Sequence, residues 1–165
     1  MAIDCFLKLG NGIKGECQDA DHKDWIDILS WSWAMSQSGT THMGSGGGGG
    51  KVNVNDIAVT KYVDASSHDL IKRCCSGEHI ADGHLVVRKA GGSKPIDYMQ
   101  IKFKDIIITS YNTGGMKDGL DRVQESLTMN FRMFEVKYTK QNQKGAPDGE
   151  FPAGWEIAEN KEWSA

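Results

Sequence analysis

Five histidines, four cysteines and a cluster of acids are the residues on which catalysis or metal binding would have to be built. His22, His42, His68, His79 and His84 form no i, i+4 pair and no cluster with cysteine; His79 and His84 flank an apparent turn at Asp82-Gly83. Zinc takes paired ligands at short gaps, and neither the histidines nor Cys5, Cys17, Cys74 and Cys75 supply two such pairs. Surface or turn histidines are expected. Adjacent cysteines bridge each other only through a strained ring, so free thiols are expected too. Asp19, Asp21 and Asp24 sit beside His22, but the central glycine and closing glutamate of an EF-hand are missing, which leaves a solvated acidic loop. No Gly-x-Ser-x-Gly elbow occurs, and no spacing poses a nucleophile beside a base. The residues therefore predict no catalytic site, no metal and no cofactor.

The glycine run from Gly44 to Gly50, interrupted by Ser45, invites a phosphate-loop reading that fails position by position. A Walker loop needs glycine where Ser45 stands and serine or threonine where Val52 stands. Gly44, Gly46 and Gly49 match G-x-G-x-x-G, as any glycine run does, but Lys51 to Val59 alternates like a strand where a dinucleotide fold requires a helix. The tryptophans could stack a sugar, yet Trp31 and Trp33 share the parity of Leu29 and read as core. Trp155 is expected to pack down in a short terminal strand, and Trp163 to lie at the surface or at a contact.

The elements around these residues are short strands and one helix. Ile3, Cys5, Leu7 and Leu9 alternate with polar residues, and the turn dipeptide Asn11-Gly12 follows. In the run from Trp25 to Trp33, Ser32 faces away from Trp31 and Trp33, making one apolar and one polar face. Val52, Val54, Ile57 and Val59 change parity, which suggests a bulge near Asn55-Asp56. Parity also slips between Tyr98 and Ile101, and again where Leu127, Met129, Phe131 and Met133 give way to Phe134, Val136 and Tyr138. Repeated slips suit the curved strands of a barrel or rolled sandwich. A helix is expected at about 67–76, capped by Ser66 or Ser67, stopped by Gly77, with Leu70, Ile71, Cys74 and Cys75 as its apolar stripe. The glycine segment reads as a loop, mobile in isolation.

The chain has 165 residues, a one-domain length, and 19 basic against 22 acidic residues give a net charge of −3. No basic field exists to hold nucleic acid. No apolar run approaches the roughly 20 residues that span a bilayer, so stable membrane insertion is not expected. The start, Met1 to Phe6, lacks the basic and long apolar regions of a secretory signal. A cytoplasmic protein is expected, unless a signal-independent machine exports it.

A further set of residues is similar to the haemolysin-coregulated protein (Hcp) family of type VI secretion. These are Met1-Ala2-Ile3-Asp4, Phe6-Leu7-Lys8, Gly15-Glu16 and His22, then Trp31-Ser32-Trp33, Ser36-Gln37-Ser38-Gly39 and His42-Met43-Gly44. Gly50-Lys51-Val52-Asn53-Val54, Asp56, Thr60-Lys61-Tyr62, Asp64, Ser66, Ser76-Gly77, His79 and Arg88-Lys89-Ala90-Gly91-Gly92 follow. Tyr98, Thr113-Gly114-Gly115, Gly154-Trp155-Glu156-Ile157 and Glu159-Asn160 complete the set. Cys5 and Cys17 depart from it, standing where methionine and serine are expected.

The resemblance implies a single domain over 1–165, mainly β, with two antiparallel sheets rolled into a barrel and one short flanking helix, as in bacteriophage tail-tube proteins. It implies six copies closing into a ring, and rings stacking into a hollow tube that is driven out of the cell without a signal peptide. The partners would be the chain itself, tube-tip and sheath proteins, and small effector proteins carried in the lumen. The loop at about 36–50, through Ser36, Gln37, Ser38, Gly39, His42, Met43, Gly44, Gly46, Gly47, Gly48, Gly49 and Gly50, would contact a neighbouring subunit, and Ser32 would face the lumen. A phage tail-tube subunit and, from another class, a sugar-binding barrel are the alternatives.

Overall fold

A computed structural model describes residues 3–42, 44, 48–89, 94–119 and 121–165. The elements in chain order are strands β1 (Ile3–Leu9), β2 (Ile26–Ile28), β3 (Ser30–Ser32), β4 (Met35–Ser36), β5 (Asn53–Val54) and β6 (Ile57–Tyr62), helix α1 (Ser67–Ser76), then strands β7 (Ile80–Lys89), β8 (Ile96–Gly114), β9 (Gln124–Gln141), β10 (Pro147–Glu156) and β11 (Lys161–Glu162). Every ladder between them is antiparallel.

The wall runs β2-β1-β7-β8-β9, and β9 then divides its second edge. Its first residues pair with β6 and its later ones with β10. β6 in turn pairs with β3. Only Leu29 separates β2 from β3, and its N–H donates to the Thr60 carbonyl at 2.8 Å. The segment 26–32 therefore holds β1 with its first half and β6 with its second, and this change of partner curls the wall into a barrel-like shape. The mainly β architecture with one short helix follows the expectation.

Inward residues come from the two-residue period of each strand. Leu7, Leu9, Ile26, Ile28, Ile57, Val59, Leu85, Ile101, Phe103, Leu127 and Met129 are all buried in one core. The parity slips have separate structural causes. Tyr98 is the extra residue where the β7–β8 register shifts between Val87 and Arg88. Between Phe103 and Ile106 the inward parity slips at Asp105, whose φ is 55°, and β9 slips opposite between Phe131 and Phe134. The two strands bend together, so Phe103–Phe134 and Ile106–Phe131 stay in one register.

Two expectations about the strands need correcting. Leu29 is 45% exposed rather than facing inward with Trp31, because the partner change at this residue resets the parity. The break at Asn55-Asp56 is not a bulge in one strand but the junction between β5 and β6, which belong to different sheets. It is tied down by Trp33, whose Nε1–H donates to the Asn55 carbonyl at 3.0 Å, and by the Asn55 N–H on the Ala34 carbonyl.

Helix α1 has the expected bounds and ends at Gly77 (φ 70°), whose N–H donates to the Arg73 carbonyl. Leu70 is fully buried and Cys74 half-buried, but Ile71 and Cys75 are exposed, so the apolar stripe is narrower than its spacing suggested. Neither Ser66 nor Ser67 caps the helix through its side chain. Near the C-terminus, a Cβ at Gly154 would stand 2.0 Å from the Trp163 carbonyl oxygen and 3.0 Å from that of Phe134. Gly154→Ala is expected to lower stability by about 1–3 kcal/mol in thermal unfolding, because two backbone strands must separate to admit one methyl group.

Candidate functional site

Alternation along β3, β6, β9 and β8 turns a hydroxyl-rich face outward from the core. The registers align Ser30, Thr60, Ser126 and Asn112 in one cross-strand row, and Ser32, Ala58, Thr128 and Ser110 in the next. No position in either row is charged. The Thr128 hydroxyl lies 2.6 Å from that of Ser110 and 2.7 Å from that of Thr109. Thr109 donates in turn to Asp56 at 2.6 Å, and Asn130 donates to the same carboxylate at 2.8 Å. Much of the hydrogen-bonding capacity of this rim is spent internally, which fixes the side chains. Around Ser30, Ser32 and Thr60 the wall carries a shallow depression of about 160 Å³. Ser32 is exposed on this face, as its parity required.

The second candidate feature, the segment 36–50, is paired as a ribbon where its described residues near the base and at 38–40 and 48–50 face each other. β4 and β5 pair Met35 with Val54 and Ser36 with Asn53. Beyond them the Gly50 N–H donates to the Ser38 carbonyl, the Thr40 hydroxyl donates to the Gly48 carbonyl at 3.0 Å, and Gly39 bridges Gly49. Ser36, Gln37, Ser38, Gly39, His42, Gly44, Gly48, Gly49 and Gly50 are exposed on this arm. Met43, Gly46 and Gly47 lie outside the described residues, as do Met1, Ala2, Ala90, Gly91 and Gly92 of the family-like set.

Two charge clusters, each around a buried cation, tie segments of the chain to the barrel wall. Lys61 and Glu125 are cross-strand partners on β6 and β9, each with a fully buried side chain, and they form an ion pair. The Lys61 ammonium also reaches Asp64 at 3.0 Å, the Tyr62 carbonyl at 2.9 Å and the Ser67 hydroxyl. Glu125 accepts from Ser67 at 2.7 Å and from the Tyr111 hydroxyl. Ser67 therefore docks the start of α1 onto the barrel wall. Burial first, then the adjacent Glu125 carboxylate, pushes the Tyr111 phenol up to about 12, so it remains a donor.

The other cluster corrects in part the solvated acidic loop expected at residues 19–24: Asp21 and Asp24 are exposed, as expected, whereas Asp19 turns toward a buried cation. Arg88 on β7 donates to Asp97 at 3.1 Å, Asp19 at 3.0 Å and Asp21 at 3.0 Å, and its guanidinium lies over Phe6. His22 is likewise buried rather than exposed. It stacks on Phe6 at 4.3 Å, meets the edge of Trp25, and joins Asp19 through Nδ1 at 2.9 Å. Asp19 and Asp21 thus tie the segment 15–25 to the buried Arg88 on the barrel wall.

The parity of strands could have exposed one of these clusters: Lys61 and Glu125 continue the inward series Ile57, Val59 and Leu127, Met129. The Arg88 clamp joins residues far apart in sequence and carried no local signal. The remaining candidates are dispersed. His79 pairs with Asp105 at the surface, and His84 hydrogen-bonds Gln100, its pKa lowered mainly by burial. Cys17 is buried, and desolvation raises its thiol to about 11. Trp31, Trp33 and Trp155 pack against the core. Among the described residues, no group of three or more histidine, cysteine, aspartate or glutamate side chains is arranged to hold a metal.

The clamp has a pH signature. The His22 hydrogen bond, aided by the Asp21 amide and Arg88, lowers the Asp19 pKa against the opposing effect of burial. A lowered carboxyl contributes stability above its unfolded value of about 4 and loses it as pH falls through the folded value. Acidification below pH 4 is expected to lower the amide-exchange protection factors, relative to the intrinsic rate at each pH, in residues 15–25, and Asp19→Asn to remove most of that dependence. Equal pH dependence in the variant would show that Asp19 does not hold the loop.

Comparison with known proteins converges on one family. Residues 6–138 match the family described as type VI secretion system effector, Hcp. The chain is 47% identical over 161 residues to Protein hcp1 of Pseudomonas aeruginosa, covering 97% of this chain and 98% of that one. A solved type six secretion system protein superposes with a TM-score of 0.91 at 29% identity, covering 98% of this chain and all of the other. Hcp1 from Salmonella typhimurium superposes at 0.81 with 37% identity, over 99% of this chain and all of that one. A barrel with one flanking helix, matched in sequence from β1 into β9 and in structure almost end to end, belongs to the Hcp family of type VI secretion tube proteins.

Proposed function

We propose that six copies of this chain close into a ring with the hydroxyl face inward, and that rings stack into a hollow conduit propelled from the cell by the secretion machine. The observation that carries the inward orientation is the pair of charge-free rows containing Ser30, Ser32, Thr60, Ser126, Thr128 and Ser110. Such a wall offers weak, reversible hydrogen bonds to a small passing protein, without the desolvation cost and strong fields of a charged lining. The wall carrying Lys8 and Lys102, with the segment 15–25 laid over the buried Arg88, then faces outward. The chain acts as a structural subunit rather than an enzyme, with itself, tube-tip and sheath proteins, and small effectors as partners. It leaves the cell through the machine it helps to build.

The orientation is tested by placing a maleimide gold cluster on Ser32→Cys in a Cys75→Ser background and imaging the rings face-on. Density at the ring centre is the expected result; density at the periphery contradicts the orientation. The arm at 36–50 is assigned to contact with a neighbouring ring, its bare glycine backbone permitting close approach. Removing Ser45–Gly50 is expected to abolish stacking in electron micrographs while the unfolding midpoint of the subunit changes little. Normal stacks would remove the arm from that role. The sugar-binding alternative is disfavoured by the tryptophans themselves, since Trp31, Trp33 and Trp155 are spent on the core and Trp25 on His22 and His84.

A further inference from the structure

The β8–β9 hairpin ends in a slim tip. Gly114, Gly115 and Gly119 surround Met116, which is 82% exposed, the most exposed large apolar side chain among the described residues. The Gly119 N–H donates to the Met116 carbonyl, so the methionine is presented on a turn rather than a free end. Toward the other end of the same hairpin lies a cleft of about 540 Å³ between the arm base and β9–β10. Met35, Val52, Phe134, Val136, Ala153 and Trp155 line it, with no charged residue among its walls. The Trp155 indole N–H beside it is buried without an acceptor among the described residues.

Gln124, at the tip end, and Val136, at the cleft, are twelve residues apart on β9, roughly 40 Å of strand. The tip of a subunit thus stands away from its own cleft. An apolar knob at one end of a molecule and an apolar socket at the other make a heterologous contact, which generates a ring where the rotation closes and a stack where it does not. Methionine suits such a socket because its flexible thioether adapts to an irregular cavity.

We infer that Met116 of one copy seats in the Met35–Phe134–Trp155 cleft of the next. This contact rests on the reading of the chain as a self-assembling subunit, and it adds an anchor distinct from the glycine arm.

The test places the photocrosslinker p-benzoylphenylalanine at Met116 in the full chain, with a parallel Ala153→p-benzoylphenylalanine label as the reciprocal probe. Crosslinked peptides are mapped by mass spectrometry in the assembled species. Crosslinks joining position 116 to residues 35–37, 50–52, 134–136 or 153–155 of another copy are expected from either label. Assembled particles whose crosslinks map elsewhere, on the arm tip or on no second copy, overturn this contact while leaving the ring intact. A wild-type chain that does not assemble overturns the ring and this contact together. Met116→Asp is expected to raise the midpoint concentration of assembly roughly tenfold or more, whereas Met116→Leu leaves it near wild type; equal midpoints for Asp and Leu also count against the contact.

Discussion

Lys61→Met is expected to cost about 3–5 kcal/mol in urea unfolding, because it strands the Glu125 carboxylate in the barrel wall without its cation. Both side chains are fully buried, so water cannot replace the lost partner. Ser67 and Tyr111 still donate to Glu125, which keeps the loss below that of a bare charge. The effect should reach α1, since Ser67 stands at its first turn and joins Lys61 to Glu125. Faster amide exchange across Ser67–Ser76 is the expected companion. The double variant Lys61→Met/Glu125→Leu removes that pair but leaves the 10%-exposed Asp64 carboxylate without its cation, so it is expected to recover only part of the loss. A single variant within about 1 kcal/mol of wild type would mean that the pair is not closed off from solvent.

The second large effect is expected at Arg88. Replacing it with methionine keeps the stem over Phe6 but removes donors to Asp19, Asp21 and Asp97 at once. Charged hydrogen bonds contribute roughly 1.5–3 kcal/mol each when buried. Asp21 is 75% exposed and contributes little after solvent screening. A net loss of roughly 2–4 kcal/mol is therefore expected, with release of residues 15–25 seen as rapid amide exchange and a change in Trp25 fluorescence. Arg88→Lys should rescue only part of it, since a single ammonium cannot hold three carboxylates in a fixed fork. Full rescue by lysine would show that charge alone, without the guanidinium geometry, holds the segment down.

Much of the barrel was legible because burial on one face writes a two-residue period into a strand. Leu7 and Leu9, and Leu127 to Phe131, showed it directly, and Gly77 marked the end of the helix. The parity slips near Tyr98 and around Phe131–Phe134 correctly signalled bending. What periodicity could not convey was the choice of partner. Leu29 is exposed because β2 and β3 pair with different strands, and a local pattern holds no record of that. The same limit explains Asn55-Asp56, where a change of sheet looks like a bulge in sequence.

The site divides along the same line. Ser32 was readable from its parity against Trp31 and Trp33, whereas its companions Ser30, Thr60, Ser126, Thr128 and Ser110 become a wall only through three cross-strand registers. The glycine arm looked unstructured because glycine carries no side-chain pattern, although its backbone pairs from Ser36 with Asn53 to Gly39 with Gly49. Asp19 looked solvent-bound because its cation, Arg88, stands 69 residues beyond it, and His22 because the ring it stacks on, Phe6, lies on strand β1.

The hydroxyl wall and the arm acquire their proposed roles only if copies of the chain meet, and native mass spectrometry of the purified chain across micromolar concentrations tests this most directly. A dominant species of six times the 18.1 kDa subunit mass is the predicted result. A single 18.1 kDa species at every concentration would contradict the ring, and with it the inward-facing wall.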